Sequence, residues 1–372
     1  TFTLTNAGCS PTMTLQALEI RDFRNIAQAR LETSAGVNLI FGANAAGKTS
    51  VLEAIYHLGR ARSFRTGNPR ELIRSGCPHL QVLAAVTGER GQVRPVGVQR
   101  SSRGLTLRIA GEPAKGLADL ARAVPVLLLN SRTHGLVDAG PQQRRRFLDW
   151  GVFQMEPDFL PLWRRYRRAL SNRNAALRQG QSNALISAWT PELVDVGERI
   201  DVLRDRFLSA FGEVLEPLAG QLLPEQSIKL GYRRGWSQSE VLGSALDAAL
   251  SQDRRLGYTR LGPHADDLGI HCDGARAAAR VSRGQQKALV AALVCAQARL
   301  YRRHQGRDCV LLVDDLPAEL DGERRGRLTR ALVELPVQVF VTSIEQKDVE
   351  IEGWADSGVF EIGAGEVRKV VY

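Results

Sequence analysis

The pattern of apolar and polar positions begins at Met13, from which Leu15, Leu18, Ile20 and Phe23 recur with strand-like regularity. Residues 14–60 predict strand, turn, a second apolar strand at Val37–Phe41, a glycine loop and a helix over Thr49–Leu58. Residues 80–110 alternate and carry several glycines, which predicts a β-meander. The texture changes from about Gln142 to Gly220. Arg144–Trp150, Leu160–Arg178 and Pro191–Leu215 are rich in Arg, Leu, Ala and Glu at helical spacing. Strand-like texture returns near Gly257, with Leu268–His271, followed by a helix over Gln285–Arg302 and buried strands at Cys309–Val313 and Val337–Val341. The expected architecture is therefore α/β, with a mainly helical lobe inserted into it. Residues 1–12 read as an extension or remnant, 13–141 and 257–372 as the two parts of the α/β head, and 142–256 as the helical lobe.

One loop carries the clearest chemistry. Gly42-Ala43-Asn44-Ala45-Ala46-Gly47-Lys48-Thr49, with Ser50 next, matches G-x-x-x-x-G-K-[ST] and sits between an apolar strand and a helix, the context that the pattern requires. Its glycines let the backbone turn N–H groups toward phosphate. Lys48 supplies a charge to the β and γ phosphates of ATP, and Thr49 supplies a hydroxyl to Mg²⁺. Far downstream, Val310 to Val313 end in Asp314 and Asp315. A buried strand ending in a carboxylate is the second half of such a site: Asp314 holds Mg²⁺, and Asp315 orients or deprotonates the attacking water. Asp314 lies 265 positions after Thr49, and so wide a gap points to cassette-type and chromosome-maintenance heads rather than to small GTPases or metabolic kinases.

A third segment, Ser282-Arg283-Gly284-Gln285-Gln286-Lys287, opens an apolar helix and resembles the S-x-G-Q signature of cassette ATPases. Ser282, Gly284 and Gln285 are its nucleotide-facing candidates, since a hydroxyl and free N–H groups at a positive helix end suit a γ-phosphate.

Composition narrows the class. With 44% hydrophobic and 24% charged residues, 372 positions support a packed core, and the length favours two lobes. The longest apolar run, Ala288 to Ala296, is too short to span a bilayer, and the first twelve residues hold no Lys or Arg, so a cytoplasmic protein is expected. Five scattered cysteines make no metal-ligand spacing and read as ordinary thiols. A net charge of +10 favours a polyanionic partner. The basic residues cluster as Arg144-Arg145-Arg146, Arg164, Arg165, Arg167 and Arg168 around Tyr166, Arg173, Arg178, Arg233-Arg234 and Arg302-Arg303. Arg144, Arg145, Arg164, Arg165, Arg167 and Arg168 are the candidate DNA contacts. No base-reading helix stands out, so binding to the DNA backbone, single- or double-stranded, is expected.

Taken together, Ile20-Arg21-Asp22-Phe23-Arg24-Asn25, the phosphate loop, Arg144-Arg145-Arg146-Phe147-Leu148-Asp149, Gly262-Pro263-His264-Ala265-Asp266-Asp267-Leu268, the SRGQQK segment and the VDD…AELD run make the chain resemble the RecF family of bacterial recombination mediators. The likeness spans Ile20 to Asp321. It implies an ABC/SMC-type ATPase head with a helical lobe, a homodimer closed by ATP, slow hydrolysis, binding of gapped DNA, and work with RecO and RecR to load RecA, with a link to the SOS response. By resemblance, Ser282 and Gly284 contact the γ-phosphate of the other subunit, Glu319-Leu320-Asp321 match the D-loop, and Arg24 and Asn25 lie near the base or ribose. The chain departs from the family at Asn130-Ser131-Arg132, where relatives often carry Pro-Glu, which leaves a Gln-loop role unassigned. It departs again at Ala265, where a basic residue is common, and at Thr342 or Ser343, where transporters hold a switch histidine. Two rival readings differ in class. A metabolic P-loop kinase would have no use for the Ser282 segment, and an architectural chromosome head would need long heptad runs that are missing here.

Overall fold

The computed structural model describes residues 13–88, 91–316, 322–335 and 337–370. The extension expected at residues 1–12 and the D-loop expectation at Glu319-Leu320-Asp321 lie outside the described residues. The chain divides into two units: one takes the residues up to Thr133, Gln221–Leu223 and Arg283 onward, and the other takes His134–Gly220 and Pro224–Ser282.

The first unit is built on two six-stranded sheets. One runs Ile26–Glu32, Leu15–Phe23, His79–Thr87, Val93–Ser101, Gly104–Ile109, Glu112–Pro113, all antiparallel. This is the expected meander, joined on one edge by the two N-terminal strands. The other runs Glu366–Val370, Ser357–Gly363, Val37–Phe41, Gln338–Ser343, Val310–Val313, Val126–Leu129. Its inner four contacts are parallel and only the terminal hairpin is antiparallel. The apolar run Val310–Val313 is wholly buried, as a strand covered on both faces must be. The strand Val126–Leu129 and the C-terminal hairpin add to what the hydrophobic pattern alone predicts.

One buried amide ties the sheets together. Gln338, fully buried, accepts from Leu15 N (2.8 Å) and donates to Leu15 O (2.8 Å) and Ser34 O (2.7 Å), so no polar atom of its side chain is stranded. The phosphate-loop helix, Lys48–Arg60, packs its apolar face (Val51, Leu52, Ile55, Leu58) into the same core as Leu18, Ile20, Leu312 and Phe340. His57 lies on that face, fully buried, with its ring 6.0 Å from that of Phe23. Burial, then the Arg100 charge, lowers its pKa from 6.5 to about 4. A histidine depressed in the folded state stabilises the fold above its unfolded pKa, and that contribution is lost as pH falls from 6.5 toward about 4. His57→Leu is therefore expected to flatten the loss of stability across this window relative to the parent; denaturation midpoints at stepped pH check it, and parallel curves would refute it.

The second unit is mainly helical, with Pro141–Met155, Phe159–Arg178, Thr190–Leu222 and Leu242–Leu256 as its long helices. It also holds a three-stranded antiparallel sheet, Ala275–Arg276, Asp267–Cys272, Ile228–Arg233. This moves a boundary. Residues 257–282, assigned from sequence to the head, fold with the helical unit, because Asp267–Cys272 pairs with Ile228–Arg233 rather than with either head sheet.

Two of the family-like segments meet inside this unit. Arg144 Nε donates to Asp267 Oδ1 at 2.8 Å, and Arg145 donates to the Asp266 carbonyl. Arg204, fully buried, donates to Asp149 Oδ1 (2.6 Å), Asp266 Oδ2 (2.6 Å) and Pro263 O (2.7 Å). Tyr232 donates to Asp266 Oδ2 (3.0 Å), and Tyr166 Oη pairs with His264 Nδ1 (2.6 Å). The Arg144–Asp149 and Gly262–Leu268 segments are thus two sides of one ion network. Desolvation raises the Asp266 carboxyl to about 6 despite the neighbouring Arg204, whose guanidinium stays fully charged.

Candidate functional site

The loop from Gly42 to Gly47 leaves the end of Val37–Phe41 and closes on the helix N-terminus. Gly42 and Gly47 stand at φ 153° and 120°, where side chains are strained. A Cβ on Gly42 would come within 2.2 Å of Ile362 O, so only glycine allows the loop its path. The first helical turn holds no acidic side chain, so its free N–H groups face the loop unopposed.

Around this loop opens a cleft of about 640 Å³, lined by residues that include Arg24, Asn25, Lys48, Thr49, Asp314 and Asp315. Here the distant halves meet: Thr49 Oγ1 donates to Asp314 Oδ1 at 3.0 Å. Lys48 Nζ donates to the loop carbonyls of Gly42 (2.6 Å) and Ala43 (2.9 Å). Burial lowers the Lys48 pKa, with Asp315 and Asp314 opposing, while desolvation raises that of Asp314 against hydrogen bonds from Thr342 and Thr49.

Asn25 is a loop clasp. It donates to Ala46 O (3.2 Å) and accepts from Ser50 Oγ (2.8 Å), so it braces the phosphate loop from outside. Arg24 grips the fully buried Glu53 through two hydrogen bonds (2.9 and 2.8 Å) and also donates to Glu71 O. Both residues line the cleft, as expected of groups near the nucleotide, yet each is engaged by the protein itself.

Motif reading missed Arg65 and Glu53, and it named Thr342 only as a switch position. Thr342, buried at the end of Gln338–Ser343, donates to Asp314 Oδ1 (2.9 Å) and accepts from Asp315 N (2.7 Å). It thereby fixes both acidic residues at the position where a switch histidine was considered. Asp315 itself adopts φ 57°, an uncommon conformation for a residue other than glycine. Arg65 lines the cleft and lies 3.6 Å from Glu53, a residue the helix pattern alone would place in an apolar core.

Hard oxygen donors suit Mg²⁺, which takes few protein ligands at phosphate sites and fills its octahedron with phosphate oxygens and water. The convergent Thr49 hydroxyl and Asp314 carboxylate fit that requirement. Among the described residues no cluster of three or more His, Cys, Asp or Glu side chains stands ready to hold a metal by itself.

The helix Arg283–Gln305 starts directly after the exposed Ser282 and has no acidic side chain in its first turn. Among the described residues that line the cleft, neither Gly284 nor Gln285 is found.

The expected DNA contacts divide. Arg144 is buried and bound to Asp267, which removes it from any DNA-facing surface, a correction that follows from its partner lying over a hundred positions downstream. Arg145 is turned toward Asp266. Arg165 is exposed but engaged by Glu192 (2.8 and 2.9 Å) and Asp195. Arg164, Arg167 and Arg168 are exposed and carry no ion pair among the described residues. No described helix is long and apolar enough to cross a membrane.

A parallel sheet carrying a phosphate loop, an acidic strand end beside it and a helical unit inserted between them define a P-loop ATPase head of the ABC/SMC type. The RecF/RecN/SMC N terminal domain model matches residues 14–361. The chain belongs to the RecF family. It is 40% identical over 357 residues to the DNA replication and repair protein RecF of Thioalkalivibrio sulfidiphilus, covering 96% of this chain and 99% of that one. The RecF of Azotobacter vinelandii is also 40% identical, over 362 residues, with 96% and 99% covered. A solved structure described as the recombination mediator protein RecF-ATP in the RecFOR pathway superposes with a TM-score of 0.87 at 25% identity, covering 98% of this chain and all of that one. The Smc head domain of Pyrococcus furiosus shares the fold, with a TM-score of 0.62 at 15% identity and 96% of each chain covered.

Proposed function

We propose that this protein is an ATP-gated DNA clamp of replication and recombinational repair, in which ATP held in the Gly42–Thr49 loop of one subunit is capped by Ser282 and Gly284 of a second copy. The observation that carries the reading is that, among the described residues, the cleft of this chain is lined by Lys48, Thr49, Asp314 and Asp315 but not by the signature residues Gly284 and Gln285. The first turn of the helix Arg283–Gln305 holds no acidic side chain, and such a helix start suits a γ-phosphate.

In this reading Lys48 leaves the Gly42 and Ala43 carbonyls to contact the β and γ phosphates. Thr49 and Asp314 hold Mg²⁺, which when bound neutralises phosphate charge. Asp315, placed by Thr342 and its left-handed backbone, orients the attacking water. Its side chain is shorter than the glutamate common in related ATPases, which suits slow turnover and a switch rather than a motor. Exposed Arg164, Arg167 and Arg168 meet DNA phosphates without base selection. The relatives' names, which speak of DNA replication and repair and of the RecFOR pathway, support the repair setting; binding of gapped DNA, action in the cytoplasm and work with RecO and RecR to load RecA are part of the proposal.

The test couples hydrolysis to binding. Asp315→Asn is expected to hydrolyse ATP about 10²-fold more slowly, the size of one general-base contribution, while still binding DNA with ATP and releasing it with ADP. Wild-type hydrolysis in this variant would remove Asp315 from the mechanism, and equal DNA affinity with ATP and ADP would overturn the clamp.

A further inference from the structure

The helical unit contains a second cleft, of about 580 Å³, walled by Arg233, Arg234, Arg260, Trp236, Ser237 and Gln238 among others. Among the described residues its lining holds three arginines and no carboxylate. The carboxylates that steady two of those arginines stand outside the lining. Asp201 Oδ2 accepts from Arg234 Nε (3.1 Å) and Nη2 (2.9 Å), and Asp253 lies 3.4 Å from Arg260 while also accepting from Arg173 at 2.8 Å. The Arg234 guanidinium is further fixed 4.7 Å above the Trp236 ring.

The cleft depends on a close backbone approach. Gly262 N donates to Gly235 O (3.2 Å), and a Cβ on Gly235 would lie 2.0 Å from Gly262 O. Only glycine lets the 234–238 turn approach the 260–265 segment this closely. Arg233, at the end of Ile228–Arg233, is exposed and makes no ion pair among the described residues. Asp267, directly across the ladder from it, is taken by Arg144 and Arg276.

Two guanidiniums held by ion pairs give up little side-chain entropy on binding, and a third has an uncompensated charge. Planar forks of this kind match phosphate oxygens. We propose that this cleft is a phosphate-binding pocket additional to the ATP cleft, with Arg233 as its gripping residue and Arg234 and Arg260 as its pre-set walls. It deepens the DNA-binding reading and rests on that reading where the phosphate belongs to a DNA strand. The same chemistry admits a free phosphate, and the test separates the two.

The whole 372-residue chain is titrated with a labelled single-stranded oligonucleotide across a salt series, and Lys48→Ala protein is titrated with inorganic pyrophosphate so that the ATP cleft does not compete. Arg233→Ala is expected to weaken oligonucleotide binding roughly tenfold, as loss of one charge-assisted contact would, and to lower the salt slope by about 1. Arg233→Lys keeps most of both. ATP affinity is expected to stay unchanged, and thermal unfolding confirms the fold. Weakened oligonucleotide binding assigns the pocket to a strand; weakened pyrophosphate binding alone assigns it to a free phosphate. If Arg233→Ala changes neither, the pocket is overturned. A wild-type chain that binds no DNA at all defeats the clamp reading, and the pyrophosphate titration then still decides the pocket.

Discussion

Lys48→Ala is expected to slow ATP hydrolysis by about 10²–10³-fold, the loss measured when one preorganised donor is removed from developing charge. The geometry explains the size. The lysine is half-buried at the mouth of the loop, with its ammonium already within 2.6 Å of Gly42 O and in the field of Asp314 and Asp315. Alanine leaves two phosphates without their only side-chain cation from the loop. ATP affinity should also fall by about tenfold to a hundredfold, as expected for a lost hydrogen bond to a charged group. The fold should survive, because Lys48 contributes no apolar packing to the core around Val51, Leu52 and Ile55. Nucleotide titration together with steady-state phosphate release checks both numbers. Hydrolysis within a few-fold of the parent would place the reaction outside this cleft.

The second large effect lies in the helical unit and concerns stability. Arg204→Ala removes a fully buried guanidinium from between Asp149 and Asp266 and leaves Asp266, itself fully buried, facing an empty space. Breaking a buried pair from one side costs about 3–5 kcal/mol, because the remaining charge stays desolvated. For a unit of this size that shifts the melting midpoint by roughly 10 °C. Arg165→Ala, which breaks only exposed contacts to Glu192 and Asp195, is the control and should move it little. Equal midpoints for the two variants would show that the network does not hold this unit together.

What was legible in the sequence divides along the same lines. The phosphate loop could be read because everything it needs is local: two glycines, a lysine and a threonine between a strand and a helix. Asp314 could be read because a four-residue apolar strand ends on it. Thr342 could be named only as one of two switch positions; its hold on Asp314 depends on two parallel strands bringing it there, and nothing near it in the chain signals that. Glu53 was hidden for a similar reason: a carboxylate on a buried helix face makes sense only once Arg24 and Arg65 arrive from other segments.

The arginine clusters show the opposite error. A run such as Arg144-Arg145-Arg146 looks like a polyanion contact when its partners are unseen, and the structure places its first member in a buried pair with Asp267. The two segments that most clearly marked the family, Arg144–Asp149 and Gly262–Leu268, prove to be partners of one another. The boundary near Gly257 was misplaced because strand texture says that a strand forms but not which sheet it joins.

In the proposed clamp, ATP held in the loop of one copy is shared with a second copy of the chain. Sedimentation of the chain with ATP, with ADP, and for Ser282→Arg with ATP tests this sharing. The parent is expected to pair with ATP but not with ADP, and Ser282→Arg is expected to bind ATP in its own loop yet stay monomeric. ATP-driven pairing of Ser282→Arg equal to the parent's would contradict it.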